Sequence, residues 1–283
     1  MGEKISEMQS KLLEMFKWFH SFCEEHQLRY YVLGGTMLGA VRHNGFIPWD
    51  DDIDVGMPRE DYNRFIQLCV ETQNERYIVE APTDNNPEYQ YLFAKVYDSK
   101  TTLIENLRKP ILRGIYIDVF PLDGIGNTKK EATKNYSKLS WRINLEMMIV
   151  CAIRKERVWY KNLAVIFGHL ISPLFVSERK LNKAITRLAE SRSFDTEKYI
   201  GNFFGAWGIK EIMPREYFGK PTKYSFEGMQ VYGPELADMY LKSLYNNYME
   251  LPPEEKRISH HDYLKIDLRN SYLGEGKEQQ QIS

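Results

Sequence analysis

The stretch that decides the reading runs from Gly34 to Gly56 and spells GGTMLGAVRHNGFIPWDDDIDVG. A β-rich run, Arg29-Tyr-Tyr-Val-Leu, leads into its two glycines, a strand meeting a turn that glycine makes without a side-chain clash. Met37 to Val41 resumes helix-friendly composition, so the order predicted is strand, glycine turn, short helix. The stretch closes on Asp50-Asp51-Asp52-Ile53-Asp54-Val55. In an extended chain alternate side chains share a face, so Asp52 and Asp54 converge on one cation while Ile53 and Val55 turn into the core. Carboxylates held so close repel strongly unless a proton or counter-ion intervenes, and a divalent metal resolves the repulsion.

Two simpler readings compete. A solvated acidic turn needs neither β-branched residues at alternate positions nor the Pro48-Trp49 approach. A calcium loop of the EF-hand kind needs glycine at its sixth position, where Val55 stands, and glutamate at its end, where Asp61 stands.

Upstream, Ile5, Met8, Leu12, Met15, Phe16, Phe19 and Phe22 recur at three- and four-residue steps, predicting an amphipathic helix to about His26 that covers a sheet. Downstream, Arg59 to Val70 is helical after Pro58. Tyr77-Ile-Val-Glu, Tyr91 to Tyr97 and Gly114 to Phe120 are short β-branched or aromatic runs between turn residues. Helices and strands mix without regular βαβ alternation, which predicts an α+β fold with a small sheet. Residues 129 to 200 change character and predict a series of helices broken by Pro173. Within them the apolar run from Asn162 to Val176 is too short to span a bilayer. Its basic flanks, Arg154, Lys155, Arg157, Lys161, Arg179 and Lys180, suit peripheral contact with an anionic membrane, against which ordinary core helices are the simpler reading. From Gly233-Pro234 a further helix is predicted to carry Leu236, Met239, Tyr240, Leu244, Tyr245 and Tyr248 on one stripe until Leu251-Pro-Pro stops it. Beyond Gly274 the Gln-rich tail predicts disorder. The divisions expected are 1–125 catalytic core, 126–200 helical insertion, 201–273 a part completing the core and acceptor site, and 274–283 tail.

A second acid, Asp118, sits between Tyr116-Ile117 and Val119-Phe120. A carboxylate in an apolar strand is costly to bury alone, so it is either hydrogen-bonded by neighbouring loops or aimed at the same metal. Gly34-Gly35-Thr36, between strand and helix, can present backbone N–H groups and the positive helix end to a phosphate. It lacks the Walker lysine and the GxGxxG spacing, and so is neither an ATPase loop nor a dinucleotide fingerprint. His260-His261 precedes Asp262; adjacent histidines face different ways, so phosphate contact ranks above metal ligation there. His43 lies within the motif loop, where a surface imidazole is the ordinary meaning.

The chain has 283 residues with 38 basic and 39 acidic side chains, a net charge of -1, which disfavours a nonspecific grip on nucleic acid. Cys23, Cys69 and Cys151 are far apart and in no CxxC arrangement, so neither a disulfide framework nor a thiolate zinc site is indicated. With no secretory signal in the opening residues, the cytoplasm, or the inner face of the membrane, is the expected location.

The combination of glycine turn, D-h-D strand and later acid resembles the polymerase-β-like nucleotidyltransferase fold. The longer string through Arg59-Glu-Asp-Tyr resembles the LicD family, which includes the fukutin-related proteins. The likeness continues through Lys95 in LFAKVYD, the run IDVFPLDG from Ile117, the FEG at Phe226 to Gly228, and a C-terminal LPP…R…H pattern. It is strong over 30 to 125, moderate over 200 to 262, and faint in the helical middle. It implies transfer of a phospho-alcohol, commonly phosphocholine from CDP-choline, onto a sugar hydroxyl of a surface glycan such as a teichoic acid or lipopolysaccharide, or its lipid-linked precursor, with CMP leaving. It further implies that Gly34, Gly35 and Thr36 hold donor phosphates and that Asp50, Asp52 and Asp54 form a Mg²⁺ or Mn²⁺ motif. Asp118 becomes the third carboxylate, which helps deprotonate the acceptor, and Arg42, Lys95 and His260 lie near phosphates or acceptor.

Where many relatives read Tyr-Gly-Asp, this chain has Tyr245-Asn246-Asn247, and it lacks the zinc element of fukutin-related protein. A choline ammonium wants aromatic walls, for which Trp49, Trp207, Tyr217 and Tyr224 are available, although 19 Tyr, 14 Phe and 5 Trp make core packing the simpler role for each. The rival functions are nucleotidyl transfer on the same fold and a glycan-binding module that has lost catalysis; the intact acids and glycine turn weigh against the latter.

Overall fold

Ser6 opens the first helix by a reciprocal cap: its hydroxyl accepts from the Gln9 N–H while the Gln9 side chain accepts from the Ser6 N–H. That helix, α1 (Glu7–Glu25), buries Leu12, Met15, Phe16 and Phe19 against the sheet, the stripe its spacing predicts. The computed structural model describes residues 5–83, 86, 89–154, 158–259 and 261–274. After α1 come β1 (Tyr31–Val32), α2 (Gly34–His43), β2 (Asp54–Pro58), α3 (Arg59–Thr72), β3 (Tyr77–Glu80) and β4 (Ala94–Asp98). Then follow β5 (Thr102–Glu105), β6 (Ile111–Arg113), β7 (Tyr116–Gly126), α4 (Lys129–Val150), α5 (Trp159–Phe175) and α6 (Glu178–Ala189). The last elements are β8 (Tyr199–Asn202), β9 (Ile212–Pro214), α7 (Arg215–Phe218), β10 (Thr222–Phe226), β11 (Met229–Gly233), α8 (Ala237–Tyr245) and β12 (Tyr263–Asp267).

The fold is α+β, and its sheet is larger than the small one expected: seven strands among the described residues. Long β7 is its spine. Along its first half β2 runs parallel on one side and β4 antiparallel on the other; along its second half β8 takes over and passes the pairing to β9. Strands β12, β5 and β6 form a separate three-stranded sheet, and β10–β11 a hairpin. Glu227 and Gly228 turn that hairpin with φ of 45° and 77°, the left-handed pair that a two-residue connection needs.

Four local expectations are corrected. Gly34 and Gly35 are not in a turn before α2 but form its first turn, with Leu33 as cap; Gly34 alone takes a positive φ, 49°. Strand β4 starts at Ala94 rather than Tyr91. Helix α5 is not broken at Pro173 but runs on to Phe175; the His169 carbonyl that a proline cannot serve is met by Arg108 Nη2 at 3.5 Å. Helix α8 stops at Asn246 (φ 57°, ψ -103°), well before Leu-Pro-Pro, and buries Tyr240, Leu241 and Leu244 while Leu236 and Met239 stay exposed.

Helices α4 and α6 make a second, smaller core with β7 and β8, built on Ile125, Leu139, Ile185, Ala189 and Phe203. Helix α5 packs on α4 through Val165 and Gly168 and turns Trp159, Tyr160, Leu163, Ile166, Phe167 and Leu170 outward, all exposed. No helix among the described residues is long and apolar enough to cross a membrane. The expected disorder past Gly274 falls outside the described residues.

Candidate active site

Strand pairing assembles the site. Asp54, the first residue of β2, is the register partner of Asp118 on β7; Asp118 is in turn the partner of Lys95 on β4, and Lys95 of Glu80 on β3. Register partners share a sheet face, so two acids, a lysine and a third acid cross four strands on one side. The hydrophobic neighbours fix this orientation. Ile53, Val55, Ile117 and Val119, the odd members of the same runs, are wholly buried on the other face.

Lys95 is 2% exposed, and its Nζ lies 3.0 Å from Asp118 Oδ1 and 3.5 Å from Glu105 Oε2. The ammonium also sits 3.2 Å from the Tyr116 ring centroid and 4.3 Å from that of Tyr91, so aromatic faces replace the water it has lost.

The acidic loop folds back onto this row. Asp50 approaches the first turn of α2 so closely that a Cβ on Gly35 would lie 2.5 Å from its Oδ2. Burial, and then the charge of Asp52, push the Asp50 carboxyl up to about 8, and the two acids share a hydrogen bond. Asp54 is driven well above the ordinary carboxylate range by burial and by Asp52, Asp118 and Asp50. Asp118 rises to about 6 because burial outweighs the pull of Lys95. The site is short of positive charge, and protons stand in for it.

Asp51 behaves differently. Burial would raise it, but the His261 ring at 2.8 Å and the Ser259 hydroxyl at 2.7 Å together hold it below its ordinary value. His261 Nε2 is also 3.5 Å from Asp52 Oδ2. Burial opposes a charged imidazole, yet Asp51 and Asp52 outweigh it and hold His261 at about 9.

The glycine turn is partly committed. The Gly34 N–H donates to the Tyr240 hydroxyl at 2.9 Å, and the Thr36 hydroxyl accepts from the Asp54 N–H at 2.9 Å. Thr36 thereby positions the acid strand against α2. Tyr245 closes the same corner, its hydroxyl 3.8 Å from where a Gly34 Cβ would stand. Arg42 points to the C-terminal segment, where Nη1 reaches the Tyr248 carbonyl at 2.7 Å. His260 lies outside the described residues. The four aromatic residues named for a choline cage are not brought together: Trp49 packs on His43 and under Arg257, Trp207 meets Tyr245 edge-on at 4.8 Å, and Tyr224 donates to the Pro234 carbonyl. No ring contact joins them to one another among the described residues.

The distant motifs prove to be contacts of the loop. Glu227, at the hairpin tip, accepts from the Phe46 N–H at 3.0 Å and gives its own N–H to the Asn44 carbonyl. Arg257 stacks 5.6 Å over Trp49 and donates to the Pro252 carbonyl. Sequence reading missed Ser259, His261, Tyr240 and Glu105; the only local signal was the His-His-Asp run, whose His261 faces the acids.

Across almost its whole length the chain aligns with the lipopolysaccharide cholinephosphotransferase LicD of Haemophilus influenzae, 31% identical over 263 residues, covering 91% of this chain and 96% of that protein. The chain belongs to the LicD family. The family's domain, described as LicD/FKTN/FKRP nucleotidyltransferase, matches residues 27–147, which hold every acid of the row. Mannosyltransferase regulator 4 of Saccharomyces cerevisiae is 30% identical over 282 residues, 94% of this chain but 23% of the yeast protein. Human ribitol 5-phosphate transferase FKRP is 40% identical over 57 residues, 20% of this chain and 12% of that one. As a family member the chain is an enzyme, a phosphotransferase of the LicD type.

Proposed function

We propose that the chain moves a phospho-alcohol, with phosphocholine from CDP-choline the foremost case, onto a sugar hydroxyl of a surface glycan or its lipid-linked precursor. The observation that carries this reading is the in-register row Asp54–Asp118–Lys95, closed over by Asp50 and Asp52, in a chain that aligns with LicD over 91% of its length. The acceptor oxygen bonds to the phosphorus that bears the alcohol, the bond from that phosphorus to the bridging pyrophosphate oxygen breaks, and CMP departs. The hydroxyl proton passes to Asp118. Positioning and charge stabilisation supply most of what such a transfer needs.

No three carboxylate, imidazole or thiolate groups among the described residues stand around one point as a finished metal cage. The donor chemistry nevertheless fits a hard divalent cation, because buried carboxylates that share a hydrogen bond and repel are oxygen ligands short of charge. Asp50, Asp52, Asp54 and Asp118 would hold Mg²⁺ or Mn²⁺, which when bound neutralises the donor pyrophosphate. The first-turn N–H groups of Gly35 and Thr36 orient donor phosphate at the positive end of α2. Lys95 supplies charge to the transferred group from beside Asp118; Arg42 reaches the donor only by releasing the Tyr248 carbonyl.

We assign a nucleotidyltransferase-like core to 1–125, completed by 201–273, with 126–200 as the helical elaboration; the pairing of β8 with β7 supports that closure. The outward apolar face of α5 lies in a stretch carrying Arg154, Lys155, Arg157, Lys161, Arg179 and Lys180 against Glu156 and Glu178. It suits an anionic lipid surface on the cytoplasmic side, where a lipid-linked acceptor would be met.

The test is incubation of the purified protein with Mg²⁺, a panel of CDP-alcohols and candidate glycans, with and without EDTA. CMP release from one donor, abolished by EDTA, is expected. A nucleotide joined to the acceptor would show nucleotidyl transfer instead, and no product with any donor would overturn both.

A further inference from the structure

The face of the sheet that carries the acids continues beyond them. Phe93, two residues before Lys95, meets Phe120, two residues after Asp118, with ring centroids 4.3 Å apart and the rings tilted by 39°. Helix α4 crosses above this pair, and between them lies a cavity of about 200 Å³ whose walls include Tyr91, Phe93, Leu107, Met147 and Phe204. Tyr91 is a shared wall, since its ring also faces the Lys95 ammonium at 4.3 Å.

One group in this lining is out of place. Glu146 projects from α4 with 6% exposure, and no hydrogen bond or ion pair joins it to any described residue. Burial, with the like charge of Glu178 behind it, pushes its carboxyl up to about 8. As a plain packing residue, a glutamate here is a poor choice: it gives up most of its hydration and gains no partner among the described residues. An aromatic cavity with one buried carboxylate is, by contrast, the chemistry that recognises an organic ammonium, through cation–π contact and a counter-charge.

We infer that the Glu146 cavity seats the ammonium head of the donor alcohol, so that the chain selects amino-alcohol donors of the choline and ethanolamine class over polyol donors such as glycerol or ribitol. The inference takes the donor's phosphate site from the proposed transfer reaction, but cation binding itself stands apart from it. The cavity begins one side chain away from Lys95, whose ammonium lies 3.0 Å from Asp118, and a choline ester places its nitrogen only a few bonds from its phosphorus.

The experiment has two readouts. Choline chloride is titrated calorimetrically into the full-length protein and into Glu146→Gln and Tyr91→Leu, with folding of each checked by thermal unfolding. Wild type is expected to bind choline, and both variants to lose at least tenfold in affinity. In the CMP-release assay, the preference for CDP-choline over CDP-glycerol should fall at least tenfold in Glu146→Gln. Choline affinity unchanged in folded Glu146→Gln, or turnover of CDP-choline with an unmoved donor ratio, overturns the assignment and leaves the transfer reaction intact. Choline binding lost in Glu146→Gln, with no CMP from any donor, upholds the cavity and overturns the transfer reaction.

Discussion

Asp54 and Asp118 stand opposite each other in register, on adjacent parallel strands, with Lys95 completing the line on the far side of Asp118. Asparagine at either acid keeps the shape; at Asp54 it removes a carboxyl crowded by like charges, and at Asp118 it also removes the partner of Lys95. Asp54→Asn and Asp118→Asn should each lower CMP release at least a hundredfold; the melting temperature should hold or rise in Asp54→Asn and fall in Asp118→Asn, which takes from the buried Lys95 ammonium its partner at 3.0 Å. Activity retained in either variant would remove that acid from the chemistry.

Glu227 ties the hairpin tip to the loop that leads to the acids, and Gly45 is the residue against which its carboxylate lies. Glu227→Ala leaves the Phe46 N–H without its acceptor and should cost about 1–3 kcal/mol. A methyl at Gly45 would displace the same carboxylate, so the two changes should not add. Urea unfolding of both single variants and the double should show Gly45→Ala costing far less once Glu227 is gone.

Asn246 ends α8 at φ 57° and ψ -103°, a backbone state that a Cβ makes costly and glycine adopts freely. Asn246→Gly should stabilise the protein by about 1 kcal/mol, visible as a rise of roughly 2–4 °C in melting temperature for a chain of this size.

Glu146 gives a pH signature of its own. Its folded value, about 8, lies above the ordinary glutamate value of 4.5, so the folded state binds its proton more tightly than the unfolded state does. The stabilisation is complete below the unfolded value and is lost as pH rises through the folded one. Glu146→Gln should therefore gain on wild type as pH climbs from 5 to about 8. Parallel melting curves across that range would contradict the buried, unpartnered state.

Helix α5 turns six large apolar side chains outward. Phe167→Glu with Leu170→Glu should abolish cosedimentation with vesicles containing phosphatidylglycerol, and leave the unfolding transition in place. Wild-type binding should weaken with added salt. Failure of the wild type to bind such vesicles, or a dimer that the double variant dissociates, would give this face a different partner.

Much of this was legible in the sequence because it is local. The alternation of Ile53 and Val55 with Asp52 and Asp54 named the buried face correctly, and the spacing of α1 named its stripe. What pairs across the chain left little trace. Nothing in the spacing of His261 tells that it meets Asp51, 210 residues away, because that contact depends on how β12 joins β5. The Gly34 N–H looks available to a ligand until Tyr240 is seen to hold it. Glu146 reads as one more polar residue on a helix; its burial comes from a cavity that Tyr91 and Phe204 close from other segments.

The contact of Ser259 and His261 with Asp51 has a consequence for how the protein is made. Asp50 to Asp54 leave the ribosome early, whereas Ser259 and His261, which settle Asp51, come some two hundred residues later. At translation speeds of about 5–20 residues per second, the acidic loop spends on the order of ten seconds or more without its partners. The sheet can begin to pair once β7 is out, whereas the acidic loop must wait for the far end of the fold. Through that interval Asp51 lacks the two partners that hold it below its ordinary value.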